Sequence, residues 1–247
     1  MTQDNIFSNT TSRASDFEFN DEVVEVFDDM IARSVPYYHE QQFMIQEMAK
    51  KLTIPNTNIY DLGCSTATTL INLCEAIEQP AHFIGYDNSK PMINRGIVRI
   101  REKGFEEKIE LHQADLSGDL SKLPLQNASL VTMCWTMQFI RPMQRERVVR
   151  WVYDGLVDGG ALALTEKVLT RNSRMNRFFI DLYYNFKQRN GYSETEILRK
   201  REALENVLVP YTLEENIELF KRNGFDTCET FFQWYNFVGF LCVKESA

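Results

Sequence analysis

Apolar side chains at Val23, Val26, Phe27, Met30 and Ile31 recur at i, i+3, i+4, i+7 and i+8, the spacing of one stripe along a helix. Pro36 ends that run. The loop Arg33-Ser34-Val35-Pro36-Tyr37-Tyr38 then leads into a second helical stretch, about His39–Leu52. From residue 58 the pattern changes, and short apolar runs begin to alternate with helical ones. Strands are predicted at Asn58–Asp61, His82–Asp87, Ile109–Ala114, Leu130–Trp135 and Ala161–Glu166, with helices at Thr68–Ile77, Met92–Lys103 and Met143–Leu156. Residues 172–206 break the alternation with two helices rich in aromatic and charged side chains. A last helix, Thr212–Asn223, is closed by Gly224 and followed by strands near Asp226–Phe232 and Phe237–Val243. The pattern therefore predicts an α/β fold: a doubly wound, mostly parallel seven-stranded sheet with N-terminal helices and a helical insertion before the last helix and strands.

This organisation predicts one domain over 1–247. It comprises an N-terminal arm and helices (1–52), a ligand-binding core (58–167), the insertion (172–206) and the closing helix and strands (212–243). Residues 1–19 are polar, with Phe7 and Phe17 as candidate anchors for the arm. The Arg33–Tyr38 loop, with its two tyrosines and an arginine, could cover a pocket or simply pack on the next helix; the residues leave both open.

Composition narrows the function. At 44% hydrophobic and 12% aromatic the chain can bury a substantial core, and a net charge of −8 argues against a surface that tracks nucleic-acid phosphates. No apolar run reaches membrane-spanning length, and the first residues lack a signal-peptide core. Five cysteines without a CxxC pair, and three scattered histidines, disfavour a structural metal or a disulfide framework; a reducing cytoplasm fits best.

Candidate chemistry gathers at three strand ends. Ile59-Tyr60-Asp61-Leu62-Gly63-Cys64-Ser65 reads as a buried strand breaking into a tight turn. Gly63 there permits close backbone approach, and Ser65 and Thr66 are candidate caps for the following helix. Asp87 ends the second strand, 24 positions beyond Gly63, where a carboxylate can accept hydrogen bonds from both ribose hydroxyls. Asp115 ends the third, in reach of an adenine amino group. Taken singly, an aspartate in such a place is more often a cap or a solvated turn carboxylate. Three strand ends on one edge favour a nucleoside. The GxGxxG and P-loop patterns are absent, so the turn suits a ligand without phosphates, such as S-adenosylmethionine.

Asp61-Leu62-Gly63-Cys64-Ser65, Asp87-Asn88-Ser89 and Asp115-Leu116, in that order, resemble class I S-adenosylmethionine-dependent transferases. Arg33-Ser34-Val35-Pro36, Gln138-Phe139, Gly159-Gly160-Ala161-Leu162, Asn190-Gly191-Tyr192-Ser193-Glu194 and Leu204-Glu205-Asn206-Val207 narrow the likeness. With them, nearly the whole chain resembles the carboxy-S-adenosyl-L-methionine synthase family. That resemblance implies conversion of S-adenosylmethionine and prephenate to carboxy-S-adenosylmethionine and phenylpyruvate, with the product feeding a separate enzyme that modifies the tRNA wobble uridine. It implies cofactor contacts at Tyr38, Gly63, Cys64, Ser65, Asp87, Asn88, Asp115, Leu116 and Arg201, with Cys134 at a further contact position. The Arg201 guanidinium would grip the added carboxylate.

Composition and charge predict no metal and no direct contact with nucleic acid or membrane. The apolar surface of the insertion, together with the resemblance, implies a homodimer. The resemblance also implies a base supplied by the substrate, so no catalytic side chain is assigned. Arg33, Lys187, Arg189 and Arg199 are hypothetical partners for the prephenate dianion. Two departures stand out: Thr66-Ala67-Thr68-Thr69 follows the turn where relatives carry a further glycine, and Cys134 replaces an asparagine. An ordinary methyltransferase and a non-enzymatic nucleoside-binding subunit are the competing readings, and Arg201 separates the synthase from the first.

Overall fold

A computed structural model describes residues 3–8 and 17–246; the remainder of the predicted arm lies outside the described residues. The amphipathic stripe forms α1 (Asp21–Ser34). Asn20 caps it by accepting the N–H of Val23, and Val23, Val26 and Met30 are buried beneath it. Then come α2 (Tyr38–Leu52), β1 (Thr57–Leu62), α3 (Thr68–Ala76), β2 (Ala81–Asp87), α4 (Lys90–Lys103) and β3 (Ile109–Gln113). The second half runs β4 (Ala128–Cys134), α5 (Pro142–Gly155), β5 (Leu156–Lys167), α6 (Ser173–Arg189), α7 (Glu194–Leu204), α8 (Leu213–Arg222), β6 (Thr227–Trp234) and β7 (Phe237–Val243).

All seven strands join one sheet in the order β3-β2-β1-β4-β5-β7-β6, parallel except for β7, which runs antiparallel to both neighbours. The chain moves outward from β1 through β2 to β3, then crosses to β4 on the other side. The carboxyl ends of β1 and β4 therefore flank the switch point where open α/β sheets bind ligands. Strand alternation divides the core between the two faces. Val131, Leu162 and Leu164 face α5 and α8 with Phe220 and Phe240, whereas Leu130, Ala161 and Ala163 face α2 and α3 with Ile45, Leu70 and Leu73. Fully burying each larger side chain contributes about 1.5–3 kcal/mol.

One strand begins earlier than its pattern predicts. The pattern starts the strand at Ala161, yet β5 starts at Leu156 and carries Gly159 and Gly160 within it. A register shift against β4 lies at that point, and a Cβ on Gly160 would stand 2.8 Å from the Ala128 carbonyl oxygen. The glycines make room for an irregularity in the pairing instead of ending it.

The insertion packs on the closing hairpin. Tyr183 lies 4.8 Å from Phe237, Phe186 5.3 Å from Trp234 and Phe179 5.2 Å from Tyr235 between ring centroids. It is also tied to the end of α1: Arg33 Nε donates to the Asn190 carbonyl at 2.8 Å, and Asn190 Nδ2 donates back to the Arg33 carbonyl at 3.0 Å. Phe178, Met175 and Leu198 of the insertion stay exposed. Among the described residues no helix is long and apolar enough to cross a membrane.

Candidate active site

A cavity of about 870 Å³ opens over the carboxyl ends of β1, β2 and β4, roofed by α6, α7 and the segment preceding α1. Ligand pockets commonly hold about 300–1,000 Å³, so this one is roomy. Its floor is the turn after β1. Gly63 has φ +81, and a Cβ there would fall 2.2 Å from Thr136 Oγ1, so backbone alone faces the cavity. The N–H groups of Gly63 and Cys64 both donate to the Tyr86 carbonyl, at 2.7 and 3.0 Å, which pins the turn to β2.

The turn differs from its expected capping. Ser65 and Ala67 both take left-handed backbone conformations (φ 51 and 64), and Ala67 caps α3 with no side-chain hydrogen bond. With its backbone turned that way, Ser65 directs its hydroxyl to Met92 Sδ at 3.3 Å. Thr66 accepts from Arg99 Nη1 at 2.7 Å. Neither caps the helix. Ala67 thus occupies a left-handed position of the kind that glycine fills without strain.

Asp87 lines the cavity with both carboxylate oxygens engaged on one side. Oδ2 accepts the Ser65 N–H at 2.9 Å, and Oδ1 accepts the Ser89 N–H at 2.8 Å. Each oxygen keeps a second acceptor site, enough for a pair of vicinal hydroxyls. Burial pushes its pKa above the ordinary carboxylate value, against the two backbone N–H groups that oppose the rise. Asn88, Asp115 and Leu116 also line the cavity; Asp115 is exposed and accepts the Ser117 N–H at 2.8 Å.

Cys134 lines the wall at the end of β4. Its thiol is pushed up to about 12, by burial first and by the nearby Asp61 second. Asp61 itself is buried and raised to about 7 by that burial, although Thr132 Oγ1 donates to it at 2.7 Å. Tyr38 and Cys64 are both buried and are not among the residues lining the cavity. The hydroxyl pKa of Tyr38 is raised by burial first, with Cys134 and Asp61 near enough to add to it. The Cys64 thiol turns under the turn instead, where a Cβ on Gly85 would stand 2.7 Å from its Sγ.

Opposite this polar cradle the cavity is cationic. Arg201, Lys200, Lys187 and Lys167 line that end, with Tyr183, Tyr184 and Phe237 as its apolar walls. The candidate anion partners named from the sequence separate here. Lys187 reaches the cavity. Arg33 is occupied by Asp29 Oδ2 at 2.9 Å, by the Asn190 and Asp4 carbonyls, and by the Tyr192 ring 4.1 Å from its carbon. Arg189 is exposed, and neither it nor Arg199 is among the lining residues.

Two features were only partly read in the sequence; Phe17 was expected to anchor the arm but not to line the cavity. Lys167 and Lys200 gave no signal beyond Lys167 following an apolar strand at its carboxyl end. Phe17 and Phe19 form part of the cavity wall. They are held by the Phe17 N–H donating to the Ala203 carbonyl at 3.0 Å, and by Ser89 Oγ donating to the Phe19 carbonyl at 2.5 Å. Among the described residues, no group of three His, Cys, Asp or Glu side chains is placed to hold a metal ion.

The strand order, the glycine turn after β1 and the acid closing β2 define the class: a fold of the class I S-adenosylmethionine-dependent methyltransferase type. A family model described as a methyltransferase domain matches residues 59–160. A putative S-adenosylmethionine-dependent methyltransferase of Methanococcus maripaludis shares the fold with a TM-score of 0.63 at 17% identity, over 96% of this chain and 98% of that one. Human N-acetylserotonin methyltransferase in complex with SAM gives a TM-score of 0.61 at 12% identity, over 92% of this chain and 56% of that one. Sequence relatives narrow the class. The carboxy-S-adenosyl-L-methionine synthase of Methylococcus capsulatus is 49% identical over 99% of this chain and all of its own length. That of Desulfotalea psychrophila is 43% identical over 98% of this chain and 97% of its own. The chain belongs to the carboxy-S-adenosyl-L-methionine synthase family.

Proposed function

We propose that the protein converts S-adenosyl-L-methionine and prephenate to carboxy-S-adenosyl-L-methionine and phenylpyruvate. One observation carries the reading: a single cavity joins a cradle without phosphate-binding features at the β1–β2 edge to a cationic end built by β5, α6 and α7. Family membership supports the product. The residues present suit the nucleoside, because position 63 holds no side chain and Asp87 keeps two acceptor sites for ribose hydroxyls. Asp115 and Asn88 would take the adenine end, and Arg201 the carboxylate carried by the product.

In this reading the bound sulfonium supplies an acidic methyl carbon, and prephenate supplies carbon dioxide and a departing hydroxide as its ring becomes aromatic. The hydroxide takes the methyl proton, leaving as water. The carbon–carbon bond broken in prephenate is replaced by one to the methyl carbon. The protein contributes position and dryness: aromatic walls from Tyr183, Tyr184, Phe237, Phe17 and Phe19 keep water from both reacting carbons. No side chain is needed as the base.

The same proposal places the enzyme in the cytoplasm. There its product supplies the carboxymethoxy group for a tRNA wobble uridine, installed by another enzyme. With a net charge of −8 it does not itself hold RNA. Exposed Phe178, Met175 and Leu198 support a homodimer through the insertion.

Mass spectrometry of ligand released from the purified protein tests the reading, together with incubation on S-adenosylmethionine and prephenate. A ligand one carboxylate heavier than S-adenosylmethionine, and formation of phenylpyruvate, are expected. Arg201→Ala should weaken binding of the carboxylated product about tenfold or more and leave S-adenosylmethionine binding within about twofold. Release of unmodified S-adenosylmethionine, with no phenylpyruvate formed, favours an ordinary methyltransferase and overturns the proposal.

A further inference from the structure

The cationic end of the cavity holds more positive charge than one transferred carboxylate requires. Lys187, in the last turn of α6, is only 4% exposed. No hydrogen bond or ion pair joins its ammonium to another described residue. It lies instead 5.6 Å from the Tyr183 ring centroid and 5.2 Å from that of Tyr192. Lys167, closing β5, also lies near the Tyr183 ring, 5.2 Å from its centroid, and likewise has no carboxylate within ion-pair distance among the described residues. Lys200 is different. Its ammonium donates to Ser34 Oγ at 3.1 Å and lies 3.8 Å from Asp4 Oδ2, so the segment ahead of α1 supplies its counter-charge.

An ammonium without a carboxylate partner, partly desolvated in a cavity wall, is costly, and a second cation nearby adds repulsion. The folded protein carries that cost in its ligand-free form: burial and the neighbouring cations lower Lys187 to about 7, and burial with Arg201 lowers Lys167 to about 8. Such a pair becomes favourable when an anion enters between them. The walls beside it are aromatic, with Tyr183 packed 4.8 Å from Phe237.

We propose that Lys167 and Lys187 form a subsite selecting a dicarboxylate co-substrate: they hold the carboxylate that is not transferred while Tyr183 and Phe237 receive its ring. This rests on the synthase reading for the identity of that co-substrate, and it assigns Asp4 the separate task of neutralising Lys200.

Calorimetric titration of the S-adenosylhomocysteine-loaded protein with prephenate tests it, at about pH 8 in two buffers of different ionisation enthalpy. Carboxy-S-adenosylmethionine formation is assayed in parallel. Lys187→Met and Lys167→Met should each weaken prephenate binding about tenfold or more and leave S-adenosylhomocysteine binding within about twofold. Wild-type binding should take up protons, because an arriving anion recharges Lys187; Lys200, Lys167, Asp4 and Glu196 are the charged groups acting on it. Lys187→Met should lose most of that uptake while keeping or raising its melting temperature, whereas a merely structural lysine would lower it. If the wild type makes product and both variants keep wild-type prephenate affinity, this inference fails and the synthase reading stands. If the wild type makes no product but binds prephenate through the lysines, the synthase reading fails and the dicarboxylate subsite stands. No prephenate binding by the wild type overturns the subsite.

Discussion

The carboxylate of Asp87 accepts the backbone N–H of Ser65 across the gap between β2 and the turn after β1, at 2.9 Å. One side chain thereby sets the shape of the cradle and faces the space above it. Asp87→Ala should weaken S-adenosylmethionine binding about a hundredfold, since it removes both ribose acceptors and frees the Ser65 and Ser89 N–H groups. Asp87→Asn keeps one acceptor oxygen and should cost less. Titration calorimetry on both variants checks the order, and equal affinities would contradict it.

Gly63 allows a sharper expectation. At φ +81, and with Thr136 Oγ1 only 2.2 Å from where a Cβ would stand, Gly63→Ala meets both a backbone and a steric obstacle. Cofactor binding should be lost and the melting temperature should fall. Adding Thr136→Gly relieves only the collision, so the double variant should recover part of the stability and little of the binding. Thermal denaturation with and without S-adenosylmethionine separates the two contributions.

Cys134 stands where relatives are expected to carry an asparagine, beside the Thr165 hydroxyl, which is buried without a hydrogen-bond partner. Its nearest amide, Gln42 Nε2, is 4.0 Å from the sulfur. An amide at 134 offers both a stronger acceptor and a donor to these groups. Cys134→Asn should therefore tighten S-adenosylmethionine binding about three- to tenfold, measured by the same titration. Weaker binding would mean that the pocket has readjusted around the thiol.

The buried lysines make stability depend on pH with a definite sign. Lys187 is lowered to about 7, so between that value and its ordinary value in the unfolded chain, near 10.4, the unfolded state binds more protons. Its burdening of the fold is full below pH about 7 and fades as pH rises toward 10. The melting temperature of Lys187→Met should exceed that of the wild type most at pH about 7 and below, and the gap should close by about pH 10. Taking the difference between the two proteins removes the contributions of Asp61 and Glu166, whose raised carboxyl groups act in the opposite direction.

Periodicity made the framework legible because the two-residue and 3.6-residue repeats are local consequences of burying one face. Val131 and Leu162 announce strands by themselves, and the stripe from Val23 to Ile31 announces α1. The cradle was legible for the same reason: Asp87 ends a recognisable strand, Gly63 and Asp115 follow one within two residues, and their shared edge follows from the sheet. The cationic end was not. A lysine reads as a solvated charge in any local window, and only the packing of α6 and α7 over β5 buries Lys187 and Lys200. Arg33 misleads in the opposite sense: Asp29 is its i, i+4 partner on α1, but Asn190 and Tyr192 reach it only through the packing of the insertion. Ser65 and Thr66 look like caps because their hydroxyls suit the role; the left-handed backbone at Ser65 and Ala67 points them elsewhere.

Phe17 and Phe19 are stitched to α7 and α4 through their own backbones while their rings close one side of the chamber. Both rings line the nucleoside chamber, yet neither of the two ties involves a ring. That side of the chamber therefore depends on main-chain hydrogen bonds, which a substitution of either ring leaves in place.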